Sequence, residues 1–387
     1  MIVKPNRDAG DSPGPPKVFC SNRFIRKYCY TYKTGLYFCK DACAVPCLSM
    51  IDDIVGLSSC TEKSIVLNSI VNSKIESKKL QFNLKKCFNM HVGPKKEDCP
   101  QLKIHDSLMK TTETQKYLGE IISSSGKNSE NIKERCKTGY KSISEIKSLI
   151  KEVSFGKFEI QIGLIMKDSI FMSKMLLNSE VWHSVTKSQI EELEVIDRIL
   201  LRYILNGHSK TGLEWLYADT GKLNLSSLIQ IRRQMYLWHI LSRDESELIH
   251  RIYKMQKISS SVGDWVTIIE SDKLELNIDL TDEEIQGVPK NVFKKYVKSK
   301  VKIKHLNYLN NLKKGHSKSE YLNCTELQTA EYLLNQRFSK TEKQLLFRLR
   351  RKTLDVKQNS KNVHKNPWCT SCKLFPETQS HLLQCPA

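Results

Sequence analysis

The spacing of apolar residues between positions 34 and 125 predicts short strands around one helix. Residues 48–57 form an apolar run that two adjacent acids interrupt, which suits strands better than a helix. In residues 61–80, isoleucine and valine recur at roughly helical spacing, and Glu62 is favourable in a first turn. Further strands are predicted at residues 88–92, 102–105 and 117–122. This part of the chain is therefore predicted to be α+β.

Beyond Gly126 the pattern becomes helical. The predicted amphipathic helices, separated by glycines, cover residues 127–150, 157–180, 188–205 and 225–242. Ser339 and Glu342 are three residues apart, which fits a capping box at the start of another helix. The chain is thus predicted to continue as a mostly α-helical region.

Charge adds a candidate partner to this picture. The 387 residues carry a formal net charge of +20, and residues 290–318 contain ten lysines and no acid. An excess of this size favours a polyanion, because each neutralised phosphate releases condensed counterions. The candidate contacts to RNA or DNA are Lys294, Lys295, Lys298, Lys300, Arg348, Arg350 and Arg351. A merely solvated basic face remains the alternative.

Other features exclude several classes of protein. No apolar run approaches the ~20 residues that a membrane-spanning helix needs. Residues 1–16 are polar and contain Pro13, Pro15 and Pro16, which does not fit a signal peptide. Residues 1–33 have little periodicity and are interpreted as a flexible leader or a junction with foreign sequence. The 13 cysteines are odd in number and scattered, which indicates a reducing compartment. We therefore expect a protein of the nucleus or cytoplasm that is neither secreted nor embedded in a membrane.

Asp52 and Asp53 stand together inside the apolar run of residues 48–57. Burying two carboxylates is costly unless they hold a cation or lie in a tight turn. Carboxylates at a hairpin tip suit Mg²⁺, and nucleotidyl transfer uses two such ions. A solvated turn or a helix cap explains the same pair without a metal. The pair alone leaves both interpretations open.

The end of the chain carries the pattern Cys369-x2-Cys372-x8-His381-x3-Cys385. Thiolate and imidazole ligands at this spacing suit tetrahedral Zn²⁺, with a CxxC turn supplying two ligands and a short helix the other two. The alternative is a coincidence in a cysteine-rich chain. The sequence predicts a structural zinc site.

The order of these motifs resembles the palm of LINE-type, non-LTR retrotransposon reverse transcriptases. Met50-Ile51-Asp52-Asp53 stands at the place of the family's Tyr/Phe-x-Asp-Asp, and the segment 80–87 resembles its next motif. The resemblance implies that Asp52 and Asp53 hold Mg²⁺ and that Lys86 assists the departure of pyrophosphate as a general acid. Without the resemblance, Lys86 would be interpreted as a solvated surface lysine.

The resemblance continues downstream. Tyr117-Leu118-Gly119 is similar to the Tyr-Leu-Gly of the hairpin that grips the primer, which implies a nucleic-acid contact. Residues 213–221 and Arg232-Arg233 resemble a stretch after the thumb, although a helix-loop-helix with a glycine cap explains the former equally well. The terminal Cys-Cys-His-Cys pattern is similar to the element that ends many LINE polyproteins.

The resemblance therefore implies an α+β fold with a partial reverse transcriptase palm, a mostly α-helical thumb and C-terminal region, and a zinc-binding tail. The predicted regions are a leader at 1–33, a partial palm at 34–125, a thumb-like region at 126–255, a basic helical region at 256–355 and a zinc-binding tail at 356–387.

Two departures from the family pattern affect the expected activity. Nothing in residues 1–47 resembles the family's first catalytic aspartate, and Met50 stands where an aromatic residue is usual. We therefore expect a 5′-truncated reverse transcriptase that is catalytically incomplete on its own. A non-catalytic module that binds RNA or DNA and a relic of a transposon remain as alternatives.

Overall fold

In the computed structural model, residues 1–53 are described only as the backbone of short strands. The remaining described residues are 54–93, 100–104, 106–153, 155–209, 211–259, 262–314, 326–351 and 366–385. The chain divides into two compact units. The first contains Met1–Asn131, His183–Val185 and Arg243–Thr267; the second contains Ile132–Trp182, Thr186–Ser242 and Ile268–Ala387. The described structure is mostly helical with small sheets, in agreement with the predicted α+β class.

The sheets belong to the first unit. Its strands are β1 Ile2–Val3, β2 Leu36–Tyr37, β3 Ala44–Val45, β4 Cys47–Met50, β5 Asp53–Gly56, β6 Phe88–Asn89, β7 Lys103–Ile104, β8 Ser107–Leu108, β9 Lys110–Thr111, β10 Thr114–Tyr117 and β11 Glu120–Ser123. Five strands form a sheet in the order β4-β5-β1-β6-β9, in which β6 and β9 are parallel and the other pairs antiparallel. Three strand pairs, β2-β3, β7-β8 and β10-β11, complete the β-structure described.

Helix α1, Thr61–Ser77, confirms the helix predicted over residues 61–80 and supplies much of this unit's core. Leu67, Val71 and Ile75 recur four residues apart and are buried. They belong to one apolar cluster with Ile54 of β5 and Ile104 of β7. The side chains of Asn68 and Asn72 donate hydrogen bonds to the Lys103 carbonyl (2.6 and 3.0 Å), which attaches the helix to the β7 strand.

The single strand predicted over residues 117–122 is wrong. The chain reverses there, since Tyr117 of β10 pairs with Glu120 of β11 and leaves Leu118 and Gly119 as a two-residue turn. Both turn residues have positive φ, +48° and +88°, as a type I′ turn requires. The apolar character of Leu118 concealed this turn, because leucine rarely adopts such a backbone conformation.

The remaining helices are α2 Ser129–Glu152, α3 Glu159–Met166, α4 Met172–Met175, α5 Lys187–Leu205, α6 Leu213–Thr220, α7 Leu225–Leu241, α8 Leu248–Ile258, α9 Trp265–Leu276, α10 Asp282–Gly287, α11 Lys290–Lys314, α12 Glu331–Leu334, α13 Lys340–Arg350 and α14 Gln379–Gln384. Helices α2, α5 and α7 confirm three predicted stretches. The fourth is helical over residues 159–175, and within it Lys167–Phe171 forms a π-helical segment between α3 and α4. The capping box predicted at Ser339 and Glu342 begins α13.

Helix α5 lies at the centre of the second unit. Its buried stripe includes Leu193, Ile196, Leu200 and Leu201. Helix α3 approaches α5 closely at Gly163, where an added Cβ would lie 3.1 Å from the Ile204 side chain. A larger residue at this crossing would push the two helices apart.

The stretch at residues 213–221 forms a helix with a glycine cap. Its resemblance to the stretch after the thumb stays a prediction. Gly221 ends α6 with φ of +63°, and a Cβ there would lie 2.4 Å from the backbone of Gln328 and Thr329. Buried Asp219 accepts hydrogen bonds from Tyr332 (2.7 Å) and Arg350 (3.2 Å). These residues hold the segment that leads into α12 against α6.

Candidate metal centre and basic surface

The chain from Trp368 to Pro376 folds into a tight turn that presents two cysteines. Trp368 and Pro376 form an antiparallel bridge, and the Cys369 N–H donates to the Phe375 carbonyl (2.8 Å). The Lys373 N–H donates back to the Cys369 carbonyl (3.0 Å), while Lys373 adopts φ of +60°. This backbone turns the Cys369 and Cys372 side chains to the same side.

The other two donors are His381 of the short helix α14 and Cys385, which directly follows this helix. Its N-cap, Thr378, accepts a hydrogen bond from the His381 N–H through Oγ1 (2.9 Å). His381 and Cys385 are four residues apart, so one helical turn places them on the same face. A local cap and helical spacing therefore produce the His-Cys half of the predicted site.

The four predicted ligands come together. Their donor atoms all lie within 4.8 Å of one another, with 3.9 Å between the sulfurs of Cys369 and Cys385. The Cys372 sulfur lies 3.1 Å from Nε2 of His381. Zn–S bonds of about 2.3 Å in a tetrahedron place two sulfurs about 3.8 Å apart. The cluster could hold a metal such as zinc, because both the donor set and its dimensions fit.

The backbone around the cysteines favours their metal-binding form. A hydrogen bond from the Cys372 backbone N–H lowers the pKa of the Cys369 thiol to about 6. The Leu374 N–H likewise lowers the pKa of Cys372. A metal ligand must be a thiolate, so both thiols are biased towards binding before any ion arrives.

The tail is also attached to the rest of the second unit. The side-chain amide of Gln379, in the first turn of α14, donates to the carbonyl of Leu349 in α13 (2.6 Å). Within the tail, the Glu377 carboxylate accepts from the Thr370 backbone N–H and hydroxyl (3.1 and 2.8 Å). These bonds fix the orientation of the two metal-binding halves.

The predicted magnesium pair falls at a hairpin. Strands β4 and β5 are antiparallel, with Met50 opposite Asp53, so the motif lies where these two strands are connected. Asp53 begins β5, whereas Asp52 lies outside the described residues. The assignment of both aspartates to Mg²⁺ stays a prediction.

The other two palm-like motifs lie at exposed turns of the first unit. Lys86 ends a 3₁₀ helix, Leu84–Lys86, and its side chain is exposed next to buried Cys87. Tyr117 ends β10, and Leu118 and Gly119 form the type I′ turn. The proposed roles of these residues in leaving-group departure and primer contact stay predictions.

The predicted lysines all lie on helix α11 and fall into two groups, those with exposed side chains and one that contacts another helix. Lys294, Lys295 and Lys298 are exposed. Lys300 instead donates to the Asn277 carbonyl at the end of α9 (2.7 Å), where a cation stabilises the unpaired carbonyl end of a helix. Lys302, which the sequence analysis did not single out, is exposed in line with Lys294 and Lys298. Its position four residues after Lys298 is the signal that could have identified it.

The three predicted arginines make contacts within the second unit. Arg348 donates to the Asn206 carbonyl (3.3 Å), and Arg350 pairs with Asp219. Arg351 is buried and donates to the Thr211 hydroxyl (2.6 Å). Burial lowers the pKa of its guanidinium to about 10. Their part in nucleic-acid binding stays a prediction, while their structural contacts are evident.

Across the described ranges, no helix has both the length and the apolar character that crossing a bilayer requires. Comparison of the chain with models of protein families gives no match, and comparison with curated proteins also gives none.

Proposed function

We propose that this chain is a nucleic-acid-binding protein of LINE-type reverse transcriptase descent, with a structural zinc ion in its C-terminal tail. The observation that carries the proposal is the Cys369, Cys372, His381 and Cys385 cluster in a chain of net charge +20. Small zinc elements and lysine-rich surfaces are both common means of holding RNA or DNA.

The role of the metal follows from its ligand set. Four protein donors fill a tetrahedral site and leave no open position for water or substrate, which is the arrangement of structural zinc. The ion would join the turn around Cys369 to helix α14. The surrounding residues would then keep the tail folded, with Gln379 holding it to α13.

The binding proposed here is mainly to phosphates. Lysines neutralise the backbone of a nucleic acid without distinguishing its bases, so affinity is expected to be strong at low salt and to carry little sequence information. The exposed Lys294, Lys295 and Lys298 support this proposal, since their ammonium groups are directed to solvent.

RNA-directed DNA polymerisation is the second candidate function. The β4-β5 hairpin at the Asp52-Asp53 pair and the type I′ turn at Tyr117-Leu118-Gly119 support it. Asp52 and Asp53 would hold Mg²⁺, and Lys86 would protonate the departing pyrophosphate. A two-metal site needs carboxylates on both sides of the ions, and we propose that this chain alone does not extend a primer.

One preparation of the full chain tests these proposals. Zinc content is measured by elemental analysis. Binding to labelled RNA and DNA is measured at increasing salt, and polymerase activity is measured as extension of a primed RNA template with Mg²⁺. One zinc per chain and steeply salt-dependent binding are expected. Salt-independent or absent binding would overturn the proposed function. Template-dependent extension would establish the polymerase instead.

A further inference from the structure

One face of helix α11 carries a row of exposed lysines. Lys294, Lys295, Lys298 and Lys302 are exposed, and within the described parts of the chain none forms an ion pair. On the side next to these lysines, Phe293, Val297 and Val301 are buried, which fixes the helix against the second unit. The lysines therefore point away from the protein along a rigid element.

Neighbouring lysines of the same helix behave differently. Lys300 donates to the Asn277 carbonyl, and Lys304 pairs with Glu275 and donates to the Gln230 side chain (3.1 Å). Both of these side chains serve to hold α11 against the rest of the second unit. The face defined by Lys294, Lys295, Lys298 and Lys302, called the outer face of α11 below, has no such structural role.

The outer face has dimensions that suit a nucleic-acid backbone. Lys294, Lys298 and Lys302 follow one another at intervals of four residues, so the row is about 12 Å long at 1.5 Å per residue. One strand of a duplex presents a phosphate about every 3.4 Å of helix axis, which gives three to four phosphates over that length. Lysines four residues apart lie about 6 Å apart along α11, so the three ammonium groups fall near about every second of these phosphates.

The face also lacks what a single strand needs. Between Asn291 and Ile303 the aromatic residues are Phe293, which is buried, and Tyr296, which is half-buried beneath Lys300. Proteins that hold single strands stack the unpaired bases on exposed aromatic rings. A row of lysines without such rings favours a backbone whose bases are already stacked and paired.

We infer that the outer face of α11 binds the phosphate backbone of a duplex nucleic acid, through Lys294, Lys298 and Lys302 with Lys295 beside them. This inference rests on the proposed nucleic-acid binding and names the form that this surface recognises.

The test compares two variants of the full chain with equal net charge. One carries Lys294→Gln, Lys298→Gln and Lys302→Gln. The matched control carries Lys137→Gln, Lys141→Gln and Lys151→Gln, three exposed lysines of α2, a helix that also contains acids. Affinity for a 20-base-pair DNA duplex and for one of its single strands is measured at a series of salt concentrations. Circular dichroism verifies the fold of each variant.

Each lost phosphate contact should reduce the slope of log K against log salt by about 0.9. The α11 variant is therefore expected to have a slope shallower by nearly 3 on the duplex. Its loss of affinity between roughly 50 and 200 mM salt should then be about 40-fold smaller than that of the unmodified chain. The α2 control should retain the original slope.

Two results would overturn the inference while leaving the proposed function intact. One is an unchanged duplex slope in the α11 variant, or an equal change in the control. The other is a slope change on the single strand as large as that on the duplex. Absence of salt-dependent binding by the unmodified chain would instead contradict both the inference and the proposed function.

Discussion

The ammonium of Lys167 lies 2.9 Å from carboxylate oxygen Oδ1 of Asp197, and both side chains are almost completely excluded from solvent. The Tyr217 hydroxyl donates to the other oxygen of Asp197 (3.2 Å). The pair joins the π-helical segment to α5 in the centre of the second unit. Such a pair contributes little beyond what a well-packed apolar pair would, but losing one partner leaves a buried charge uncompensated.

Lys167→Met should therefore lower the free energy of unfolding by about 3–5 kcal/mol, as measured by urea denaturation. Lys222→Met is the control, because Lys222 pairs with the half-exposed Asp168 and should lose no more than about 1 kcal/mol. The double variant Lys167→Met/Asp197→Leu should recover much of the loss. Similar losses in both single variants would contradict the proposed importance of burial.

Replacing a metal ligand should abolish metal binding. Cys372→Ser removes one of the four donors, and zinc content is expected to fall from about one per chain to well below it. Cys60→Ser replaces an exposed cysteine of the first unit and should keep the zinc. Elemental analysis after gel filtration distinguishes them. Equal zinc in both variants would show that the cluster is not the site.

Comparison of Gly221 with Gly156 distinguishes the cost of a left-handed backbone conformation from the cost of close packing. Both have positive φ, but an added Cβ meets the backbone of Gln328 and Thr329 only at Gly221 and nothing within 4 Å at Gly156. Gly156→Ala should cost about 1–2 kcal/mol from the left-handed conformation alone. Gly221→Ala should cost roughly 1–3 kcal/mol more. Thermal unfolding measures the difference, and equal losses would contradict it.

Glu194 should make stability depend on pH. Burial raises the pKa of its carboxyl to about 7 from 4.5, although it accepts a hydrogen bond from the Ser226 N–H (3.2 Å). The folded state therefore keeps a proton that the unfolded state releases between these values, and stability falls as pH rises through the window. Relative to the Glu194→Gln variant, the unmodified protein should have lost roughly 3 kcal/mol of its free energy of unfolding by about pH 7.

The variant also serves as the reference for other titrating groups. Burial lowers the pKa of His305 to about 4, which acts in the opposite direction, since stability is lost as pH falls from 6.5 towards that value. Both proteins contain His305, so the difference between their urea unfolding curves isolates Glu194. Parallel stability profiles from pH 4.5 to 7 would contradict the raised pKa.

Local patterns predicted those parts of the structure that depend on neighbouring residues. Helical spacing identified α2, α5 and α7, and the Ser339-Glu342 pair identified the start of α13. The zinc ligands were recognisable because a tight turn and one helical turn determine their geometry. In these cases the residues that form the feature lie within a few positions of one another.

Features that depend on distant packing could not be predicted in this way. In an amphipathic pattern, Lys167 is indistinguishable from a solvated lysine until α5 brings Asp197 next to it. Likewise, spacing could not show that Lys300 meets the end of α9 while Lys302 faces solvent. Which side of α11 is covered depends on the helices that pack against it.

The π-helical segment Lys167–Phe171 has a consequence for insertions and deletions. One extra residue in a helical turn is what distinguishes a π turn from the regular form. Successive residues of a π turn rotate by less than the 100° of an α-helix, so the segment absorbs its extra residue and α3 and α4 keep the relative orientation of one continuous helix. Deleting the exposed Ser169 should therefore convert the segment to α-helix with little rotation of the helices on either side. The chain can thus lose one residue here without moving the buried side chains of α3 and α4, whereas a deletion elsewhere in a helix would rotate them by about 100°.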